Sequence, residues 1–284
     1  MSVRHPYVAG SFYPREAQSL KQDIEGCFKH ALGPGRLPTK GNEPRTITAI
    51  ICPHAGYMYS GPVAAHSYLA LSEERKPDTA IILCPNHTGV GSALSLMGKG
   101  IWETPLGRVN IDEETSRAIF DASGMVDLDE TAHTYEHSIE VQLPFLQYLY
   151  GSAIRIVPIC MGLQDLDVSR NLGEAIADAT ELKNTVVIAS TDMTHQESQQ
   201  SATRKDRLVL EAIQTMDEEN VQKTVESHRI TMCGYGPVSA ALVTSKRLGA
   251  DKAEILSYHT SGDITGDHGA VVGYASAKIT RTVQ

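Results

Sequence analysis

Six runs of β-branched and small apolar residues, each of strand length and mostly without polar alternation, place the first constraint on this chain. They are Thr46 to Cys52, Thr79 to Cys84, Ala153 to Ile159, Thr185 to Ser190, Ala253 to Tyr258 and Ala270 to Lys278. A strand that alternates apolar and polar residues can leave one face in water, whereas a continuous apolar run must be covered on both faces. Helix-like segments lie between the runs: Glu16 to Ala31, Val63 to Leu71, Glu113 to Ala122, Ile139 to Tyr150, Val168 to Thr180, Arg204 to Met216, Glu218 to Ser227 and Val238 to Leu248. Strand, turn and helix in repetition predict a layered α/β fold, a central mixed sheet flanked by helices on both faces. The whole chain, residues 1–284, reads as one such domain, with no internal repeat.

The connections carry their own signals. Gly33 to Arg45, "GPGRLPTKGNEPR", breaks a helix ahead of the first long strand. Gly100 to Asp112 reads as a hairpin-like excursion, with Asp112 placed to cap the next helix and Glu113 and Glu114 at its positive end. The net charge of -9 leaves no basic field for nucleic acid or an anionic membrane. No apolar run approaches transmembrane length, and the first residues lack the pattern of a signal peptide, so the expected location is cytoplasmic.

Three histidines recur in one context. His54 follows the first strand in "CPHAGY", His87 follows the second in "CPNHTG", and His195 follows "TVVIAS" in "STDMTHQ", with Asp192 one helical turn earlier. A lone loop histidine is usually solvated or capping. In open α/β sheets, however, ligands gather outside the carboxyl ends of the strands, and three strands can deliver three imidazoles to one crevice there.

The five cysteines contain no C-x-x-C pair, which argues against a disulfide framework or a zinc ribbon. Cys52, Cys84 and Cys160 close apolar strands and read as buried small hydrophobes. Cys233, in "TMCGYGPV", precedes a turn whose Pro237 suits the start of a helix, a setting that favours the thiolate. Two imidazoles and one thiolate make a three-ligand set with an open position, compatible with zinc, iron or copper. "HTYEHSIEVQLPFL" adds Glu136, His137 and Glu140; Glu136 and His137 could orient a ligand or move a proton, while Ile139, Leu143 and Leu146 read as core. "SGDITGDHG" is explained by its turn. There is no Walker A loop, G-x-G-x-x-G, G-x-S-x-G or H-E-x-x-H.

Taken in order, "RHPYVAGSFYP", "PHAGYMYSGP", "CPNHTG", "WETPLGRVNID", "EHSIEVQLPFL", "STDMTH" and "MCGYGPV" resemble the Memo family of the AmmeMemoRadiSam group over nearly the entire chain. The resemblance implies a fold similar to class III extradiol dioxygenases of the LigB type. It implies His54, His87 and Cys233 as metal ligands, with Asp192 and His195 beside them. It also implies iron first, with copper or zinc as alternatives, and an Amme-type protein and a radical-SAM protein as partners. The dioxygenases hold Fe(II) with two histidines and a carboxylate. Cysteine in the carboxylate's place is a softer, more oxidisable donor, so ring cleavage is not carried over. The leading expectation is a metal-dependent redox protein. Its rivals are a module that binds a peptide or partner protein without catalysis, as the phosphotyrosine-type pocket of animal relatives implies, and a zinc hydrolase with Glu136 or His195 as base.

Overall fold

The computed structural model describes residues 2–181 and 183–282. In chain order the elements are β1 (Val3–Arg4), α1 (Ala17–Lys29), β2 (Ile47–Cys52), α2 (Tyr57–Ser72), β3 (Thr79–Pro85), β4 (Leu94–Leu96), β5 (Ile101–Thr104), β6 (Gly107–Ile111), α3 (Glu113–Ser123) and β7 (Asp127–Leu128). They continue with α4 (Leu143–Tyr150), β8 (Arg155–Met161), α5 (Leu166–Thr180), β9 (Thr185–Ser190), β10 (His195–Glu197), α6 (Gln199–Gln214), α7 (Glu218–Ser227), α8 (Tyr235–Arg247), β11 (Lys252–Thr260), α9 (Ser261–Thr265) and β12 (Val271–Thr280).

The six apolar runs form the middle of one mixed sheet. Strands β8, β3, β9 and β2 lie side by side and parallel, β12 pairs antiparallel with β2, and β11 with β12. Because neighbouring residues of a strand point to opposite faces, one run feeds two cores. Ile51, Leu83 and Val187 join the core covered by α3, α5 and α8, whereas Ile50, Ile82 and Ile188 join the core covered by α1, α2 and α4. Both faces are therefore apolar, as the lack of alternation requires. The excursion between β3 and α3 is the expected hairpin, β5 against β6, and the Asp112 side chain accepts from Thr115 N at the start of α3.

Four helices depart from the sequence expectation: α6 starts at Gln199 rather than Arg204 and α8 at Tyr235 rather than Val238, and α2 and α4 differ as follows. Helix α2 starts at Tyr57 rather than Val63, so Gly61 and Pro62 lie inside it. Gly61 is needed for packing: a Cβ there would sit 2.4 Å from Cys27 Sγ on α1. Pro62 has no N–H to donate to the carbonyl of Met58, an exposed residue in the first turn of the helix. The expected helix from Ile139 begins instead as a 3₁₀ turn, Glu140–Gln142, before α4, because Pro144 cannot donate to the Glu140 carbonyl.

The arm before α1 is held by buried polar groups. The Glu140 carboxylate, fully buried, accepts from Tyr7 N (2.9 Å), Val8 N (3.0 Å) and Tyr13 Oη (2.5 Å), and pairs with Arg4. Arg4 also donates to His133 O (3.0 Å) and Glu136 O (2.7 Å), with its guanidinium over the Trp102 ring.

Burial lowers the His133 imidazole to about 4, an effect only partly offset by its bond to Ser95 O. The unfolded chain therefore takes up a proton below about pH 6.5 that the native ring refuses down to about pH 4. Stability is full above that window and falls through it, by up to about 3 kcal/mol from this residue. Urea unfolding measured from pH 7 to 4 should show this loss, with a shallower pH dependence in His133→Gln.

Candidate metal centre

Parallel strands β3, β9 and β2 end at the same edge of the sheet, and the turn after each brings polar residues to it: His87 after β3, Asp192 after β9, His54 after β2. Cys233 arrives from the loop before α8. That loop presses on the end of β9, where Gly234 N donates to Thr191 Oγ1 (2.9 Å) and a Cβ on Gly234 would meet Ser190 O at 2.6 Å. One ligand atom each from His54, His87 and Cys233 lies within 4.8 Å of the others, and His54 Nε2 is 3.2 Å from Cys233 Sγ.

The tautomer of His54 follows from a donor count. Ser190 Oγ has one proton, and it goes to Ser138 O (2.7 Å), which can only accept. Its remaining contacts, Gln142 Nε2 (2.8 Å) and His54 Nδ1 (2.9 Å), must therefore donate to it. Gln142 is itself fixed, its amide nitrogen also donating to Pro53 O (3.0 Å) and its oxygen accepting from Tyr68 Oη (2.8 Å). The proton of His54 is thus on Nδ1, and the Nε2 lone pair faces Cys233. Burial first, then the nearby His137 and His87, holds His54 well below its usual range and keeps the ring neutral, which is the form that binds metal.

A carboxylate fixes the second histidine. Glu136 is fully buried and accepts from His87 N (2.7 Å), His87 Nδ1 (3.0 Å), Ser138 N (2.9 Å) and Ser138 Oγ (2.7 Å). Burial alone would raise its carboxyl, but the bond and charge of His87, with His137, pull it well below the usual range. An ionised carboxylate only accepts, so the Nδ1 proton of His87 points at Glu136 and Nε2 is left for the crevice. Glu136, His87 and His137 form a second group with metal-ligand spacing. Four donors engage Glu136, three at Oε1 and one at Oε2, and two of them come from His87, so the carboxylate acts as a support for that histidine.

The other expected residues fall around this pair. The rings of His137 and His87 are 4.7 Å apart, and burial, against the pull of Glu136, lowers His137 to about 4. Asp192 Oδ1 accepts from His54 N (2.8 Å), and burial, opposed by that bond and by His195, pushes its carboxyl up to about 6. Asp192 and His195 do not share a helical turn: residues 191–194 are extended beside β12, with Met193 N on Gly273 O and Gly273 N on Thr194 O. His195 lies outside both ligand groups, its Nδ1 bonded to Thr231 O (2.9 Å). The expected ease of ionising Cys233 is also corrected. Burial and then the Asp192 charge push the thiol well above its usual range, although Asp192 N donates to its sulfur (3.2 Å). "SGDITGDHG" is structural: Asp263 completes a capping box with Thr260 on α9.

Fold and site together define an α/β protein with an imidazole and thiol centre at the carboxyl edge of its sheet. The Memo-like protein family model matches residues 4–278, and the chain belongs to that family. Among its relatives, a MEMO1 family protein of Methanopyrus kandleri is 51% identical over 98% of this chain and 99% of its own. One from Methanocaldococcus jannaschii is 51% identical over 97% of this chain and 98% of its own. An uncharacterized protein of Escherichia coli K12, solved by crystallography, shares the fold with a TM-score of 0.56 at 12% identity, over 82% of this chain and 99% of that one.

Ser190 and Gln142 were not singled out from the sequence. The signal was there: Glu136, Ser138, Glu140 and Gln142 alternate with other residues in a segment that is otherwise largely apolar, and all of them are buried. Long-range proton–nitrogen NMR on the metal-free protein should show Nδ1 protonated in both His54 and His87. Ser190→Ala should lose that preference at His54 alone, and an Nε2 proton on His54 in the parent protein would contradict the count.

Proposed function

We propose that this chain is a metal-dependent redox protein whose single metal is held by His54, His87 and Cys233, iron in first place, with copper and zinc as the alternatives. The observation that carries the reading is that ligand atoms of His54, His87 and Cys233 lie within 4.8 Å of one another while Nδ1 of each histidine is already engaged, by Ser190 and by Glu136. An ion about 2.0 to 2.3 Å from nitrogen and sulfur donors sets those donors roughly 3 to 4 Å apart, and the 3.2 Å between His54 Nε2 and Cys233 Sγ fits. A cation there also offsets the burial that keeps Cys233 protonated.

When bound, a redox-active ion would supply electron transfer and an open position for a small molecule or oxygen. The chain's own residues do the rest. Ser190, Gln142 and Glu136 hold the ligands in the binding tautomer. Asp192, its carboxyl near 6 and bonded through Oδ1 to His54 N, can take or give a proton beside the ligands. His137, neutral above about pH 4, offers a further acceptor, and His195, held through Nδ1 on Thr231 O, is the proposed additional proton donor or acceptor. An Amme-type protein and a radical-SAM protein are the partners we propose with this reading.

Protein purified without oxygen or added metal should hold about one equivalent of iron or copper. His54→Ala and Cys233→Ser should lose it while keeping the parent's circular dichroism, and Ser190→Ala should weaken it by about 10- to 100-fold. Retention of metal in the first two variants would contradict the ligand set. Zinc alone would contradict the redox reading and favour a hydrolase.

A further inference from the structure

The opposite edge of the sheet, where β2 and β9 begin and β12 ends, carries a cavity of about 490 Å³. Arg45, Arg75, Lys183 and Arg281 line it, with Glu181 the one carboxylate side chain in the lining among the described residues. This runs against the chain's overall charge of -9. Lys183 is partly neutralised by Glu114 at 3.0 Å, whereas Arg75 and Arg281 are exposed, without an ion pair among the described residues.

Arg45 is the residue the fold alone does not explain. Its side chain is 9% exposed, and its Nε donates to Asn184 Oδ1 at 3.1 Å. Among the described residues, neither of its terminal nitrogens has a hydrogen-bond partner. Glu74 Oε2 stands 3.8 Å from Nη1, beyond hydrogen-bond length, and that carboxylate is committed to Thr46 N (3.0 Å), Ile47 N (3.1 Å) and Thr46 Oγ1 (2.5 Å). A buried guanidinium with unused donors is costly to keep, and an ordered water or a bound ion is among the partners that would satisfy it.

We infer that this cavity binds the phosphate group of a small phosphorylated molecule, with Arg45 at its base and Arg75 and Arg281 at its mouth. The guanidinium fork matches phosphate oxygens in pairs. Several guanidinium groups around one cavity suit a dianion better than a single carboxylate, and the volume leaves room for more than the phosphate itself. The site shares no residue with the crevice of His54, His87 and Cys233, so it stands whether or not that centre holds metal.

Calorimetric titration of the intact, metal-free protein with inorganic pyrophosphate and with orthophosphate, in chloride buffer, tests this. One saturable site is expected, tighter for pyrophosphate and weakened as salt rises. The double variant Arg75→Ala and Arg281→Ala, both exposed and safe for folding, should lose at least about tenfold in affinity. Arg45→Met should lose more, and His54→Ala should bind as the parent does. The absence of binding up to about 10 mM, or binding that survives the arginine variants and disappears in His54→Ala, would overturn the assignment.

Discussion

A carboxylate removed from water must be compensated by hydrogen bonds, and at Glu136 that requirement organises the candidate centre. Burial without donors would cost several kcal/mol. The donors that meet it include the backbone and ring of His87, so the same contacts that keep Glu136 ionised also fix where His87 points. Arg4 holds the Glu136 carbonyl from the other side and ties it to the arm before α1. Stability and ligand geometry are here one set of interactions.

The segment from Glu136 to Gln142 repeats the device with different chemistry. Glu136 serves His87, the Ser138 carbonyl takes the Ser190 proton and the Gln142 amide one of its lone pairs, leaving the other to accept from His54, and Glu140 anchors the amino-terminal arm. The segment is irregular at Glu136 and His137, turns at Ser138 and Ile139, and enters a 3₁₀ helix only at Glu140–Gln142, with every residue from Ser138 to Gln142 buried. Preorganisation of this kind lowers the cost of collecting ligands, because neither imidazole has to change tautomer when a cation arrives.

Much of this was legible in the sequence, for identifiable reasons. The long strands declared themselves by unbroken apolar runs such as "TVVIAS", and parallel strands that share an edge must bring the residues after them together. The strand-end context singles out His54, His87 and His195 alike, and the choice of His54, His87 and Cys233 as ligands rests on the family resemblance. Short strands such as β4 and β7 have too few residues to show a period, and the early start of α2 was hidden because Gly61 and Pro62 read as breakers. The high cost of ionising Cys233 was out of reach, since it depends on Asp192 and on burial, both tertiary. The support from Ser190 was hidden because serine at a strand end carries no chemical signature of its own.

The measurement that bears most directly on the centre is X-ray absorption spectroscopy at the edge of whatever metal the anaerobic protein carries, joined to anomalous diffraction from its crystals. The account predicts one ion with two nitrogen neighbours and one sulfur neighbour, its anomalous peak between His54 Nε2, His87 Nε2 and Cys233 Sγ. A spectrum without sulfur, or a peak held by Glu136 and His137 instead, would contradict it.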